Sequence, residues 1–367
     1  MAVLSVIMVF SLAIGANAAQ TELFDSEKER LETGISDEER GKLSSIGVDG
    51  IDDITENGVD TSRLFSYAWD ELKSSAPAPL SALIVLLCVV IVASAAEAYT
   101  YSLRYTHTKE IMGVAVSVFI ASVLIVPAAE LAADTAAVIG AASKLLMIYL
   151  PIMAGLMAFS GQAVGSAGYY TAVVTGAGLL SKLSSTILAP LLNGFLSLAV
   201  CDGICGRIHL RGLIEFAAKA FKWLLTFSVS MFTAVVGMNS ALSGAADGLT
   251  GRAAKFALTS LVPLIGSSLA EAYQTIRGSL GLLRAGMGVF VIISLFISFA
   301  PLLARALLWS LAAGCARLTA EAFGVSSASE ILNAVSIYLS AVRALIYAVM
   351  IAFVFSSAVL IRLGGAG

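Results

Sequence analysis

The sequence predicts an all-α polytopic membrane protein preceded by a signal peptide and a short acidic extracytoplasmic segment. Composition, the division of charge and a succession of bilayer-length apolar runs carry that expectation. Of 367 residues, 58% are hydrophobic and only 13% charged, and mean hydropathy is +0.91. A soluble surface takes roughly a quarter charged residues, so about half that supply points to lipid as the solvent. Residues 20–78 hold 15 Asp and Glu against 6 Lys and Arg, whereas residues 79–367 hold 10 against 16. No concentrated basic patch speaks for nucleic acid. The four cysteines are Cys88, Cys201, Cys205 and Cys315, and the acidic segment has none, so no disulfide framework is expected.

Residues 1–18 read as a signal peptide. An apolar run from Ala2 to Ile14 is followed by Ala16–Asn17–Ala18, small residues at −3 and −1 of a cleavage point, although no Lys or Arg precedes the run. Residues 19–78 are acidic and Gly-dotted, with helices expected at 22–33 and 61–74. In the second, Leu64, Phe65, Ala68, Trp69 and Leu72 share one helical face. So few large apolar side chains bury no core of their own, and an arm docking on a partner or the membrane face is expected. Ala76–Pro77–Ala78–Pro79 forms a hinge into the membrane domain, residues 79–362, and residues 363–367 are a tail.

The membrane domain opens with Leu80–Ala96 and Ile111–Ala129. Arg104, His107 and Lys109 between them go to the cytoplasm, and Glu130 and Asp134 to the far side. That orientation agrees with an exported acidic segment. Further runs at 136–159, 171–200, 223–242, 256–270, 287–303, 306–318 and 337–361 lead to an expected count of about six to eight transmembrane helices, some re-entrant or proline-broken. Residues 207–222 read as an amphipathic helix lying in the cytoplasmic interface. Leu213, Phe216, Ala217, Ala220, Phe221 and Leu224 form its apolar side, and Arg207, Arg211, Lys219 and Lys222 its basic complement. Two full spans between 136 and 200 would put this helix outside, so one of those segments is expected to be broken or re-entrant.

Lysine precedes proline by seven or eight residues three times, at Lys144/Pro151, Lys182/Pro190 and Lys255/Pro263. Repeated broken helices build substrate sites in many transporters, but coincidence in Ala- and Leu-rich text explains the pattern as well. The ionisable groups in or near apolar runs, Lys144, Lys182, Lys255, Glu271, Arg277, Arg284 and Arg343, are candidates for an intramembrane interface or a pore, because charge in lipid costs at least a few kcal/mol. Arg305, Arg317 and Glu321 sit near span ends, where long side chains reach water. Cys201, Cys205 and His209 share a helical face, yet they lack a fourth ligand and sit among glycines, so packing accounts for them better than a metal. Gly244 to Arg252 lacks the spacing of a phosphate-binding loop. No catalytic set and no cofactor site is expected.

One block is more specific. Lys222–Trp223–Leu224–Leu225 through Gly237–Met238–Asn239, Asp247–Gly248 and Arg252 to Lys255 is similar to the stage III sporulation protein AE family. The similarity continues through Pro263–Leu264–Ile265–Gly266, Glu271–Ala272–Tyr273 and Ile276–Arg277–Gly278–Ser279 to Arg284. The resemblance implies a bacterial endospore former and a multi-pass protein of the mother-cell membrane facing the forespore. It implies as partners the other membrane proteins of the same sporulation operon complex and a forespore membrane protein, together forming a secretion-like channel needed for forespore development after engulfment. The family has no assigned catalytic residues to carry over. The competing expectation, from the Lys–Pro segments, is a stand-alone secondary transporter for a small solute.

Overall fold

The computed structural model describes residues 26–57, 60–103, 106–160, 163–183, 186–187, 189–204, 211–261 and 266–363, with 239–261 and 266–277 described by their backbone alone. The signal-peptide segment lies outside the described residues. Among them there is no strand.

The acidic segment folds as a helical cap. It comprises α1 (residues 26–33), α2 (Asp37–Ser45), α3 (Ile51–Asn57) and α4 (Thr61–Ser74). Local chemistry sets these boundaries. Ser36 caps α2, its hydroxyl accepting from Glu39 N while the Glu39 carboxylate accepts from Ser36 N, so two orphan donors are satisfied together. At the far end Gly47 turns with φ +80, and Val48 N reaches back to Leu43 O, which closes the last carbonyls of the helix. Asp60 caps α4 through Ser62 N. Leu31, Ile35, Leu43, Val48, Ile51 and Ile54 are all buried. They gain that burial partly against the membrane domain, since α2, α3 and α4 all pack on α10. On α4 the expected single apolar face is divided. Leu64 and Tyr67 turn toward the bundle, while Phe65 and Trp69 stand exposed.

The bundle follows as α5 (Pro77–Leu103), α6 (Thr106–Phe159), α7 (Ala163–Leu183), α8 (Ala189–Ile204), α9 (Arg211–Leu261), α10 (Gly266–Ala322) and α11 (Ser326–Leu363). Five helices among the described residues are long and apolar enough to cross a membrane. That count covers the described residues alone, and within them some runs expected to be separate are fused. Residues 111–129 and 136–159 form the single helix α6, and 287–303 and 306–318 the single helix α10. Glu130 and Asp134 do not break α6, since Glu is a good helix former and Asp, a poor one, costs at most about 0.7 kcal/mol against the long Ala- and Leu-rich run around it. Pro127 and Pro151 lie inside α6, and Pro301 inside α10. Neighbouring helices compensate the lost backbone bonds in such bundles. Pro151 therefore breaks nothing. Pro190 occupies the first turn of α8, where proline fits, and Pro263 lies outside the described residues.

Side-chain contacts give the heights of the helices. At one end, Ser94 on α5 donates to Phe323 O and Ser117 on α6 to Ser327 O, next to the α10–α11 turn. That turn closes on Gly324 at φ +74, with Val325 N bonded to Ala320 O. Eleven residues further along both helices, Tyr338 donates to Ala128 O, so α6 and α11 run parallel. At the other end, the Gly288 Cα on α10 faces Ile361 on α11 and Tyr149 on α6. Tyr169 on α7 bonds Ser356, and Phe195 on α8 stacks on Tyr338 at 5.9 Å. From Ser356 to Tyr338 is about 27 Å down α11, so α7 and α8 together descend the bundle that α6 ascends. This removes the parity problem posed by two spans between 136 and 200. Residues 136–159 extend an existing helix, and α7 with α8 makes one return. Of the basic stretch 207–222, residues 207–210 lie outside the described residues. From Arg211 onward it is the first part of α9, and no glycine or proline lies between Gly212 and Gly237 to end it.

Candidate functional site

The cap seats beside the upper halves of α6 and α10. Glu39 accepts a hydrogen bond from Ser298 on α10, and Gly34 sits so close to Ile148 on α6 that an added Cβ would meet its Cδ1 at 2.7 Å. Between cap and bundle lies a cavity of about 400 Å³. Its charged lining comprises Glu38, Glu39 and Lys42 from the cap, Asp134 and Lys144 from α6, and Arg305 from α10. Carboxylates and cations are balanced there, three of each. Arg305 Nη2 donates to Asp134 Oδ2 at 2.7 Å, and Lys42 Nζ to Glu38 Oε1 at 2.7 Å. The Lys42 hydrogen bond, with its charge, holds the Glu38 carboxyl below its ordinary value. Burial, reinforced by Glu71, Glu38 and Glu39, pushes the Tyr67 phenol up to about 12. This cleft sets these charged groups beside apolar residues such as Val138, Leu145 and Leu302, and it is open to water. Among the described residues no group of three His, Cys, Asp or Glu could hold a metal ion.

The structure distributes the sequence-derived candidates over several places. Lys144, in an apolar stretch of sequence, is exposed and lines the cap cleft. Arg284 goes the other way. It is 1% exposed, one turn along α10 from Gly288, near the buried Tyr149 and therefore inside the bundle. Lys182 is exposed at the end of α7. Arg343 on α11 is half-buried, and its Nε has no hydrogen-bond partner. Lys219 and Lys222 stand exposed on α9, and Arg211 begins that helix. The side chains of Lys255, Glu271, Arg277 and Arg211, and all of Arg207, lie outside the described residues, as do Cys205 and His209. Arg317 and Glu321 pair with each other at 3.0 Å, as their spacing predicts. Sequence reasoning missed the Tyr169–Ser356 hydrogen bond and the Glu39–Ser298 contact. Tyrosines and serines in apolar runs carry no periodic signal, and the contact joins residues 259 apart in the chain.

A capped bundle of helices this apolar, five of them able to cross a bilayer, defines an integral, multi-pass, all-α membrane protein. The family model described as Stage III sporulation protein AE matches residues 52–364. The chain belongs to that family and so has a role in sporulation. A curated relative, Stage III sporulation protein AE of Bacillus subtilis (strain 168), is 23% identical over 147 residues. That match covers 40% of this chain and 37% of the relative. No solved structure matches the chain.

Proposed function

We propose that the chain is a non-enzymatic subunit of a channel or secretion-like complex joining mother cell and forespore. It sits in the mother-cell membrane facing the forespore and is needed for forespore development after engulfment. The cap is extracytoplasmic and meets partners between the two membranes, namely other membrane proteins of the same sporulation operon and a forespore membrane protein. One observation carries this reading. The charged cap sits at the opposite end of α5 from the start of α6, whose sequence carries His107 and Lys109, held against helices far taller than a bilayer. A charged cap on a tall apolar column suits assembly rather than solute binding. Deleting the gene in its native host and purifying the tagged chain tests it. Arrest after engulfment with recovery of the other operon products supports the subunit. Normal sporulation with solute-dependent flux by the purified chain alone would establish the transporter instead.

A further inference from the structure

The contacts of the helices fix the height of the cleft between cap and bundle. Ser94 on α5 meets Phe323, just below the last turn of α10. Pro77 lies about 25 Å up α5 from Ser94, and Arg305 about 27 Å up α10 from Phe323, so the two are level. Asp134 shares that height through its ion pair with Arg305. On α5, Pro77–Tyr99 is the stretch able to cross a bilayer, and its 23 residues span about 35 Å, one bilayer with little to spare. Pro77 is the end nearer the cap. The Asp134–Arg305 pair therefore marks the membrane surface on the cap's side, and the cleft rises from that surface.

The lining of the cleft is graded with height. Asp134 and Arg305 stand at the mouth, and Ala137, Val138 and Leu302 follow within about one turn. Lys144 comes about 15 Å above Asp134 along α6, in the part of the cleft that Glu38, Glu39 and Lys42 of the cap also line. Side chains lean toward the N-terminus of their own helix. Since α6 ascends and α10 descends, Lys144 leans down and Arg305 leans up, and the two cations converge on the apolar strip between them.

The charges are not all matched from within. Asp134 pairs with Arg305, and Glu38 with Lys42. Glu39 accepts hydrogen bonds from Ser36 and Ser298. Lys144 is exposed and has neither a hydrogen bond nor an ion pair among the described residues. One cation is thus left over, above an apolar strip that begins at the bilayer surface. A phospholipid presents the complementary order of groups, with acyl chains below, esters next and the phosphate anion on top.

We infer that the cleft takes the headgroup of a phospholipid from the leaflet on the cap's side, with Lys144 holding the phosphodiester. The esters and first methylenes lie along Ala137, Val138 and Leu302, and the anion meets Lys144 as a charge-assisted hydrogen bond. Such a lipid bridges cap and bundle. The site goes beyond the channel-subunit reading and does not depend on it.

Native mass spectrometry of the purified full chain, stripped of lipid in detergent, tests the site. Titration with phosphatidylglycerol should show one retained molecule, bound at least about tenfold more tightly than diacylglycerol, which lacks the phosphate. Lys144→Gln should weaken phosphatidylglycerol about tenfold, and Lys144→Arg should keep it. Lys73→Gln removes a cap cation outside the cleft and should leave the affinity unchanged. An unfolding midpoint unaltered in Lys144→Gln, as expected of an exposed side chain, separates lost lipid from lost fold. Equal affinities for the two lipids overturn the phosphate contact, and equal affinities of the unaltered chain and Lys144→Gln overturn the role of Lys144. Water-soluble glycerophosphoglycerol bound as tightly as the whole lipid overturns the membrane source in favour of a free phosphodiester.

Discussion

Two helices of similar length, α10 and α9, have opposite fates in the fold. The apolar stretch of α10, Leu280–Ala322, has 67% of its most hydrophobic window buried, whereas that of α9, Gly212–Met238, has 28%. Wrapped by the cap helices, α5, α6, α9 and α11, α10 serves as the inner pillar. On the outside, α9 contacts mainly α7 and α11 and leaves large aromatic side chains uncovered. The contrast teaches that hydrophobicity alone does not assign a helix to the core. An outward apolar side chain on α9 gains its burial from lipid or from another chain, so its loss should register in assembly rather than in folding.

Truncating the pillar gives the largest expected effect. Phe299→Ala removes a wholly buried ring from α10 and should cost about 3–5 kcal/mol, read as a lowered unfolding midpoint in mild detergent. Phe227→Ala on α9 removes a ring of the same size that is 54% exposed, and should shift the same midpoint by no more than about 0.5 kcal/mol. Equal costs would dissolve the distinction between the two helices. An intermediate effect is expected where α9 meets α7. A Cβ at Gly176 would meet the Phe232 ring at 2.5 Å, so Gly176→Val should cost about 1–3 kcal/mol. Hydrogen exchange should place the loss in α7 and α9 and leave α10 protected. Smaller again is the ion pair at the pillar's edge. Arg305 and Asp134 are 41% and 44% exposed, so Arg305→Ala should cost at most about 1 kcal/mol, less at high salt.

The weakest effect concerns the cap. The Tyr67 phenol, normally near 10, is raised to about 12 in the folded protein, first by burial and then by Glu71, Glu38 and Glu39. A raised value means the neutral form is favoured in the fold. The stabilisation is therefore complete below pH 10 and is lost as pH rises from about 10 to about 12. Cap release over that window, followed by proteolysis of residues 26–76, should be blunted in Tyr67→Phe.

The all-α, multi-pass class and the polar character of residues 19–78 were legible in composition and hydropathy. The divided face of α4 and the fused helices α6 and α10 were not. Glu130 and Asp134 resemble a loop in the one-dimensional text, whereas in the fold Glu130 is exposed and Asp134 pairs with Arg305. Lys144 illustrates the same limit. Its sequence neighbours are apolar, but its spatial neighbours include Glu38, Glu39 and Lys42 of the cap, more than 100 residues earlier. At Gly288 the only local sign of close packing was the absence of a side chain, and what crowds it comes from Ile361 and Tyr149.

The final turns of α11 lie beside Gly288 and Tyr149, at the cap's end of the bundle. On the proposed orientation, anything appended after Leu363 is carried across the membrane. A green fluorescent reporter exported there unfolded would stay dark, while alkaline phosphatase in the same place would be active.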